Sequence, residues 1–244
     1  MFEIDINCDL GEGIGNETSL MPFISSCNVA CGGHAGDEYS MRRVVELASS
    51  HKVKIGAHPS FPDKNGFGRQ IMFMTKKALS KVLVEQIDAL QNVLEERNMT
   101  MHHVKPHGAL YNLAAVDKKT AKIIIDVIKS YDKNLVLYAP YQSVITRMAK
   151  NEGLKIKFEA FADRNYNEDL TLVSRSKYNA LIQDSKSIFD HVYKIISKEK
   201  VSTVSGVEVV LKADTFCMHS DHENILENLK FLVKKLTENN IKIL

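Results

Sequence analysis

The sequence contains no tryptophan, few prolines and glycines (5 and 12), and no apolar run approaching the roughly 18–20 residues of a membrane span. Its 32 basic and 30 acidic residues leave a net charge of +2, too small for a surface that attracts nucleic acid or acidic lipid. No low-complexity segment or Ser/Gly/Pro-rich linker divides the chain. With 44 % hydrophobic and 25 % charged residues, residues 1–244 fit a single soluble globular domain.

Cysteine is also scarce. Four residues, Cys8, Cys27, Cys31 and Cys217, are too few for a disulfide framework. The spacing of Cys27, Cys31 and His34 does not match a zinc knuckle, so we expect the thiols to be packed in the interior.

The first five residues include acids, and no basic leader precedes them. We therefore expect no signal peptide and a cytoplasmic protein.

Short apolar runs alternate with longer helical patterns. Seven runs of 5–7 residues are bounded by Gly, Pro or Asp, which is typical of buried parallel strands. They are Phe2–Cys8, Ser26–Cys31, Val53–His58, Met101–Pro106, Leu135–Ala139, Ile156–Phe161 and Thr215–His219. The β-branched stretch Val201–Val210 is either an extra strand or the approach to the last one.

Helical spacing of apolar residues marks the segments between the strands. Thr75 and Asp117 are predicted N-caps of two helices. Further helices are predicted over Leu181–Ile196 and Ile225–Leu236, with shorter ones at Met41–Ala48 and Val144–Ala149. Alternation of strands and helices with right-handed crossovers predicts a seven-stranded (β/α) barrel, and an open doubly wound sheet is the alternative.

Polar side chains follow six of the seven predicted strands. Their segments are 7–13, 28–37, 56–69, 103–112, 159–164 and 217–221. The carboxyl ends of parallel strands converge on one face, where active sites are built. A solvated loop would explain one such cluster but poorly explains six, so the pattern predicts an enzyme.

Histidine is concentrated in the same segments. Five of the nine histidines lie there, namely His34, His58, His103, His107 and His219. Because a lone histidine is more often structural than catalytic, we interpret His51, His102 and His191 as structural. The concentration of the other five supports a site that handles protons or holds a metal.

Arginine is rare, and three of the seven, Arg69, Arg164 and Arg175, lie in motif-like loops. Guanidinium groups bind carboxylates and phosphates in bidentate fashion, so a small anionic ligand is expected. Alternatively, these arginines brace the loops by pairing with acidic side chains, the candidates being Asp63, Asp163 and Glu159.

Three narrower motifs remain open. The segment GEGIG resembles a phosphate-binding loop but lacks the Lys-Ser/Thr of a P-loop. Asp9, His34 and His58 offer a mixed N/O set that suits zinc, manganese or nickel. Cys217 and His219 are a possible nucleophile and base.

Seven motifs in order resemble the LamB/YcsF family. They are NCDLGEG, NVACGGHAGD, GAHPSFPD with GFGR, HVKPHGALYN, EAFADRNY, LVSRS and CMHSD, and they run from Phe2 to about Asp221. The resemblance implies a distorted seven-stranded β/α barrel of the glycoside hydrolase/deacetylase type. It also implies the A subunit of an ATP-dependent 5-oxoprolinase, which opens 5-oxoproline to glutamate together with subunits B and C.

The sequence departs from the family pattern at two positions. Ser220 stands between His219 and Asp221 where the family usually has glycine, and Asn179 stands at another common glycine position. Neither change removes an ionisable group. We expect Ser220 to cap the helix that follows.

Opening a five-membered lactam requires activation, and phosphorylation of the lactam oxygen by ATP would give an imidate that water attacks. For this chemistry we expect the catalytic residues to be Asp9, Glu12, His58, Lys105 and His107. The carboxylates and histidines would activate the water or hold a metal, whereas Lys105 would stabilise the charge on the lactam oxygen.

The predicted substrate-binding residues are Asn7, Asn28, His34, Arg69, Glu159, Arg164, His219 and Asp221, with Arg69 or Arg164 binding the substrate carboxylate. ATP with Mg²⁺ as its counter-ion is the expected cosubstrate, although no segment identifies its site. The alternatives are a metal-dependent carbohydrate deacetylase and a non-catalytic substrate-binding subunit.

Overall fold

A computed structural model describes residues 2–132 and 134–244. Within these residues the strands are, in chain order, β1 (Phe2–Leu10), β2 (Ser26–Ala30), β3 (Lys54–His58), β4 (His103–Val104), β5 (Val136–Pro140), β6 (Lys155–Phe161), β7 (Lys200–Ser202), β8 (Glu208–Val210), β9 (Thr215–His219) and β10 (Ile241–Ile243). The helices are α1 (Glu17–Leu20), α2 (Glu38–His51), α3 (Lys76–Glu95), α4 (Gly108–Val116), α5 (Lys118–Lys129), α6 (Val144–Asn151), α7 (Ser185–Lys198) and α8 (Ile225–Glu238).

Seven parallel strands close into a barrel. Strands β1 to β6 pair in chain order, β9 follows β6, and β9 pairs back with β1. Closure runs from the pair Asp5–Thr215 to the pair Asp9–His219. The predicted seven-stranded barrel is confirmed, and the open-sheet alternative is wrong. The first three residues of β1 pair instead with β10, a short strand that the sequence analysis missed.

Buried apolar side chains of the strands pack against the helices, whereas Asn7, Asn28, Lys105 and Glu159 belong to a buried polar network inside the barrel. Cap residues mark where helices begin. Thr75 accepts a hydrogen bond from the backbone N of Ala78 at 3.2 Å, and Asp117 accepts one from Thr120 at 2.7 Å. Both predicted caps are confirmed. Helix α7 starts later than predicted, at Ser185 with Asp184 as its cap, so the prediction of a start at Leu181 was wrong.

Other element boundaries also shift. Strand β1 extends two residues beyond the prediction, which places Asp9 within the strand. The predicted strand Met101–Pro106 is reduced to His103–Val104, and Pro106 has no N–H to extend the ladder. The stretch Val201–Val210 forms the antiparallel β7–β8 hairpin outside the barrel, so it is not the approach to the last strand.

All four cysteines are buried and free, as predicted. No helix in the described part of the chain has the length and apolar character needed to cross a membrane.

Candidate active site

A cavity of about 400 Å³ opens at the carboxyl ends of the barrel strands. Its wall brings together polar side chains from five of the six predicted segments, among them Asp9, Glu12, Arg69, Lys105, His107, Arg164, His219 and Asp221. Other predicted residues lie behind that wall, namely Asn7, Asn28, His34, His58 and Glu159. The structure therefore separates predicted residues that line the cavity from predicted residues that are buried behind them.

Lys105 forms the charged centre of the cavity floor. Its side chain is 2 % exposed, and its Nζ lies 2.9 Å from Asp9 Oδ1, 3.0 Å from Glu159 Oε1 and 3.0 Å from Cys217 Sγ. Burial alone lowers the pKa of Lys105, but Asp9, Cys217 and Glu159 outweigh it, so the pKa lies well above its ordinary value. Lys105 is therefore a permanent cation.

Asp9 is the matching anion. Burial raises the pKa of its carboxyl group, but His58 and Lys105 outweigh that effect and hold the pKa well below its ordinary value. Asp9 Oδ1 also accepts a hydrogen bond from Asn28 Nδ2 at 2.7 Å. The second oxygen, Oδ2, lies 3.4 Å from His58 Nε2.

Two buried asparagines hold the carboxylates in place. Asn28 also donates to Asn7 Oδ1 at 2.7 Å, and Asn7 Nδ2 donates to Glu159 Oε1 at 2.9 Å and to Thr215 Oγ1 at 2.8 Å. Both asparagines are fully buried. Their amide hydrogens are directed at protein acceptors, so this position favours a supporting role over the predicted substrate contact.

A cluster of three histidines and Glu12 lies beside the floor. Glu12 Oε1 is 2.8 Å from His34 Nε2, 3.5 Å from His107 Nδ1 and 4.0 Å from His58 Nε2. The rings of His34 and His107 are stacked, with centroids 3.6 Å apart. All four side chains are at least nine-tenths buried.

Backbone carbonyls fix the tautomers of two of these rings. His58 Nδ1 lies 2.7 Å from the carbonyl oxygen of Lys105, and His107 Nε2 lies 2.9 Å from that of Phe67. A carbonyl only accepts, so each of these nitrogens carries a hydrogen. Burial, together with His58 and His34, holds the pKa of His107 well below its ordinary value. Its Nδ1 therefore presents a lone pair, 2.9 Å from His58 Nε2.

The predicted metal set Asp9, His34 and His58 needs correction. The donor atoms that lie together are those of Glu12, His34, His58 and His107. Asp9 falls instead in a group with Cys217 and His219, where Lys105 already contacts Asp9 and Cys217. The candidate residues Asp9, His34 and His58 therefore divide between two neighbouring groups of donor atoms.

The arginines do not pair as predicted. Arg69 Nη2 and Arg175 Nη1 both bind Asp221 Oδ2, at 3.2 and 2.9 Å, at the partly exposed rim of the cavity. Arg164 is buried and donates to the backbone oxygens of Val173, at 2.6 Å, and of Ala180. Pairing with Asp63, Asp163 or Glu159 was therefore wrong, although the bracing role itself fits Arg164.

Asp163, which was not among the predicted site residues, positions His219. His219 Nδ1 lies 3.0 Å from both carboxylate oxygens, and its backbone N donates to Oδ2 at 3.0 Å. Burial raises the pKa of Asp163, but His219 outweighs it and the pKa falls to about 2. The signal was present in the sequence, because Asp163 follows β6 in the segment 159–164.

The pairing of Cys217 with His219 as nucleophile and base is wrong. His219 Nδ1 faces Asp163, and Cys217 Sγ contacts Lys105. Burial and the charge of Asp9 hold the pKa of the Cys217 thiol well above its ordinary value. The thiol therefore stays protonated and is a poor nucleophile.

The structural histidines are placed as interpreted. His51 is exposed in the last turn of α2, and His191 Nε2 donates to the carbonyl oxygen of Phe161 at 3.1 Å. His102 is half-buried beside His103. His103, assigned to the polar segments, is fully buried behind the floor and contacts Asn28 Oδ1 at 2.7 Å.

The two departures from the motif pattern cause no backbone strain, because neither Ser220 nor Asn179 has a positive φ. The predicted capping role of Ser220 is wrong. The residue before α8 is Asn224, and no side chain caps the N-terminus of this helix. The Ser220 hydroxyl is buried without a hydrogen-bond partner among the described residues.

Comparison with known proteins covers nearly the whole chain. Residues 4–244 match the LamB/YcsF family. The chain is 41 % identical to the A subunit of the 5-oxoprolinase of Bacillus licheniformis, over all of this chain and 98 % of the relative. It is 42 % identical to the corresponding protein of Tolumonas auensis over 93 % of this chain and 92 % of the relative. A lactam utilization protein from Thermus thermophilus superposes with a TM-score of 0.92 at 34 % identity, covering 99 % of each chain.

Proposed function

From the premise that this chain belongs to the LamB/YcsF family, we propose that it is the A subunit of an ATP-dependent 5-oxoprolinase. The observation that carries the proposal is identity above 40 % to proteins named as 5-oxoprolinase A subunits, over at least nine-tenths of this chain. The proposed reaction converts 5-oxoproline, ATP and two waters to glutamate, ADP and phosphate.

The charges of the cavity suit a small anionic lactam. At the rim, Arg69 and Arg175 share one carboxylate, Asp221, so two positive charges and one negative charge leave +1 there. A substrate carboxylate completes the charge balance by binding the same guanidinium groups. This assignment replaces the expected choice of Arg69 or Arg164, because Arg164 is occupied by backbone carbonyls.

Lys105 is placed to stabilise charge on the lactam oxygen. The oxygens of Asp9, Glu159 and Asn7 and the sulfur of Cys217 all lie within 3.3 Å of Nζ, which has only three hydrogens. A lactam oxygen can take over the hydrogen that serves the weakest of these acceptors. Such a preorganised cation in a water-poor site stabilises developing negative charge.

ATP supplies the activation. Transfer of its γ-phosphoryl group to the lactam oxygen releases ADP, and the resulting imidate carbon is attacked by water. The ring C–N bond then breaks, its electron pair and a proton forming the amine of glutamate, and a second water releases phosphate. Asp9, Glu12 and His107 border the cavity where that first water would be oriented.

Partner subunits B and C complete the proposed enzyme. We propose that they contribute to nucleotide binding, since the GEGIG segment lacks the Lys-Ser/Thr of a P-loop. The protein would then be inactive in isolation.

The test measures glutamate formed from 5-oxoproline and ATP by this chain alone, by subunits B and C alone, and by all three. We expect turnover only with all three and strict dependence on ATP. Asp9→Asn and His107→Ala should each lower turnover by about 10²–10⁴. Glu46→Gln, on the outer surface of α2, is the matched control and should keep normal turnover.

Two results would contradict the proposal. If the complete mixture formed no glutamate, the assigned reaction would be wrong. If Asp9→Asn and His107→Ala both kept near-normal turnover, the assigned catalytic residues would be wrong, although the assigned reaction would still hold.

A further inference from the structure

We propose that His103 is a positioning residue that fixes the orientation of the Asp9 carboxylate by way of Asn28. The inference rests on the proposed function in one respect, namely that Asp9 orients the attacking water. The arrangement of the three side chains is a property of this chain alone, so it is testable without ATP, substrate or partner subunits.

The residues concerned form one row across four adjacent strands of the barrel. In register they are Asp9 of β1, Asn28 of β2, Gly56 of β3 and His103 of β4. Residues in register on neighbouring strands point to the same face of a sheet. Because Asp9, Asn28 and His103 are all buried, the side chains of this row lie together inside the barrel.

Gly56 leaves the space through which His103 reaches Asn28. A Cβ at Gly56 would overlap the imidazole ring of His103, so a larger residue would displace that ring. The φ of Gly56 is not positive, so it is the space and not the backbone that requires glycine here. From the strand on the other side of β4, Tyr138 stacks on His103 with ring centroids 4.0 Å apart and an interplanar angle of 9°.

The hydrogen bonds of Asn28 have one possible direction. Its Nδ2 lies 2.7 Å from Asp9 Oδ1, and an ionised carboxylate only accepts. The other end of the amide, Oδ1, is therefore the acceptor that lies 2.7 Å from His103 Nε2, and this nitrogen carries a hydrogen. Burial, with the charges of His102 and Lys105, holds the pKa of His103 well below its ordinary value, so the ring is neutral. Its Nδ1 then accepts from His102 Nδ1 at 3.1 Å.

These bonds determine which oxygen of Asp9 is available at the cavity. Asn28 Nδ2 and Lys105 Nζ both donate to Oδ1, at 2.7 and 2.9 Å, whereas Oδ2 receives neither bond. The ammonium group of Lys105 is a point charge with rotatable donors, which can follow a carboxylate that turns. A planar amide held at its other end by His103 cannot follow it. His103 thus fixes the rotation of the carboxylate, and with it the oxygen left to orient water.

The first experiment observes this arrangement in the full chain alone, by heteronuclear NMR at neutral pH. We expect Nε2 of His103 to carry a hydrogen. We also expect the side-chain amide protons of Asn28 to exchange slowly with water, because both are bonded to buried acceptors. The signals are identified by their loss in His103→Gln and in Asn28→Ser.

Three variants separate the hydrogen bond from the bulk of the side chain. In His103→Gln the amide nitrogen takes the place of Nε2 and should still reach Asn28, whereas in His103→Asn it reaches only the position of Nδ1. Gly56→Ala keeps every hydrogen-bonding group and displaces the ring. We expect faster exchange of the Asn28 amide protons in His103→Asn and Gly56→Ala but not in His103→Gln. His191→Asn, which changes a histidine bonded to the Phe161 carbonyl outside the row, is the matched control and should leave these signals unchanged.

The second experiment measures turnover of the same variants in the complete mixture with subunits B and C. In His103→Asn and Gly56→Ala, kcat should fall by as much as about 100-fold, since a misplaced Asp9 orients water poorly. His103→Gln should restore most of this loss. The KM for 5-oxoproline should stay that of the unmodified complex, because Arg69 and Arg175 at the rim are unchanged.

The proposal is overturned if Nε2 of His103 carries no hydrogen, or if His103→Gln and His103→Asn have the same amide exchange and the same kcat. A histidine with a merely structural role would not distinguish these two replacements. If Gly56→Ala folds poorly, as judged by Tm, this pair decides alone. Absence of glutamate with the unmodified chain would instead contradict the proposed function, and the NMR experiment would still decide the placement of His103 and Asn28.

Discussion

Replacing Lys105 with methionine should destabilise the barrel strongly, because it leaves two buried carboxylates without their shared cation. Lys105 Nζ lies 2.9 Å from Asp9 and 3.0 Å from Glu159, and all three side chains are at least nine-tenths buried. Removing one partner of a buried ion pair costs about 3–5 kcal/mol. That cost is a large part of the roughly 5–15 kcal/mol by which a typical protein is stable.

The assay is urea unfolding at neutral pH, followed by circular dichroism. With an m-value of about 3 kcal/mol per M, the expected loss moves the midpoint down by about 1–2 M. Lys81→Met is the matched control, since Lys81 is exposed and pairs with Glu85 only at 3.7 Å. Its midpoint should stay close to that of the unmodified chain.

The pH dependence tests the cause. The folded pKa of Asp9 lies below its unfolded value, so its stabilising contribution is present above the unfolded pKa and is lost as pH falls through the folded one. Lys105→Met removes one of the groups that lower the pKa of Asp9 and leaves His58, so that pKa rises, and protonation of Asp9 as the pH falls relieves part of the uncompensated charge. The difference in unfolding free energy between Lys105→Met and the unmodified chain should therefore become smaller from pH 7 to pH 5. A loss below about 1 kcal/mol, or a difference independent of pH, would refute the reasoning.

Two further predictions concern the surroundings of the cavity. Asp163, with a pKa of about 2, should stabilise the fold by about 2 kcal/mol above pH 4, a contribution lost as pH falls through 2. Asp163→Asn should accordingly flatten the curve of unfolding free energy against pH between 4 and 2, and an unchanged slope there would contradict the assignment. Gly68→Ala should lower Tm more than Gly206→Ala, because both have positive φ but only Gly68 is crowded, by the ring of His107 and the Cβ of His34. If a thermal melt showed the same change in Tm for both variants, crowding at Gly68 would not affect stability.

The order of strands and helices was readable from the sequence because buried parallel strands are short apolar runs and capped helices have a distinct beginning. Thr75 and Asp117 show this directly, since each side chain binds the backbone of the helix it was predicted to cap. Helix α4 was missed because His107 provides no side-chain cap and the strand before it is only two residues long.

Convergence of the polar segments was also predictable, because parallel strands in a barrel must end on one face. Which side chains of the site pair with one another was not predictable. Asp221 binds Arg69 and Arg175 across loops whose course depends on tertiary packing, and no local pattern fixes such contacts. The identity of the histidine cluster depended likewise on the backbone of Phe67, which turns through a positive φ to meet His107.

Closure of the barrel by β1 and β9 also governs how the chain acquires its fold. The strand made first finds its permanent neighbour 210 residues later, where Thr215 bonds to Asp5. At about 5–20 residues per second of synthesis, that interval lasts roughly 10–40 s. During this interval, the edge of β1 that later pairs with β9 has no neighbouring strand. The buried acidic residues of β1 likewise lack their final partners. Such long-range pairing slows folding and exposes intermediates to aggregation, so we expect refolding of the intact chain to be limited by this last seam.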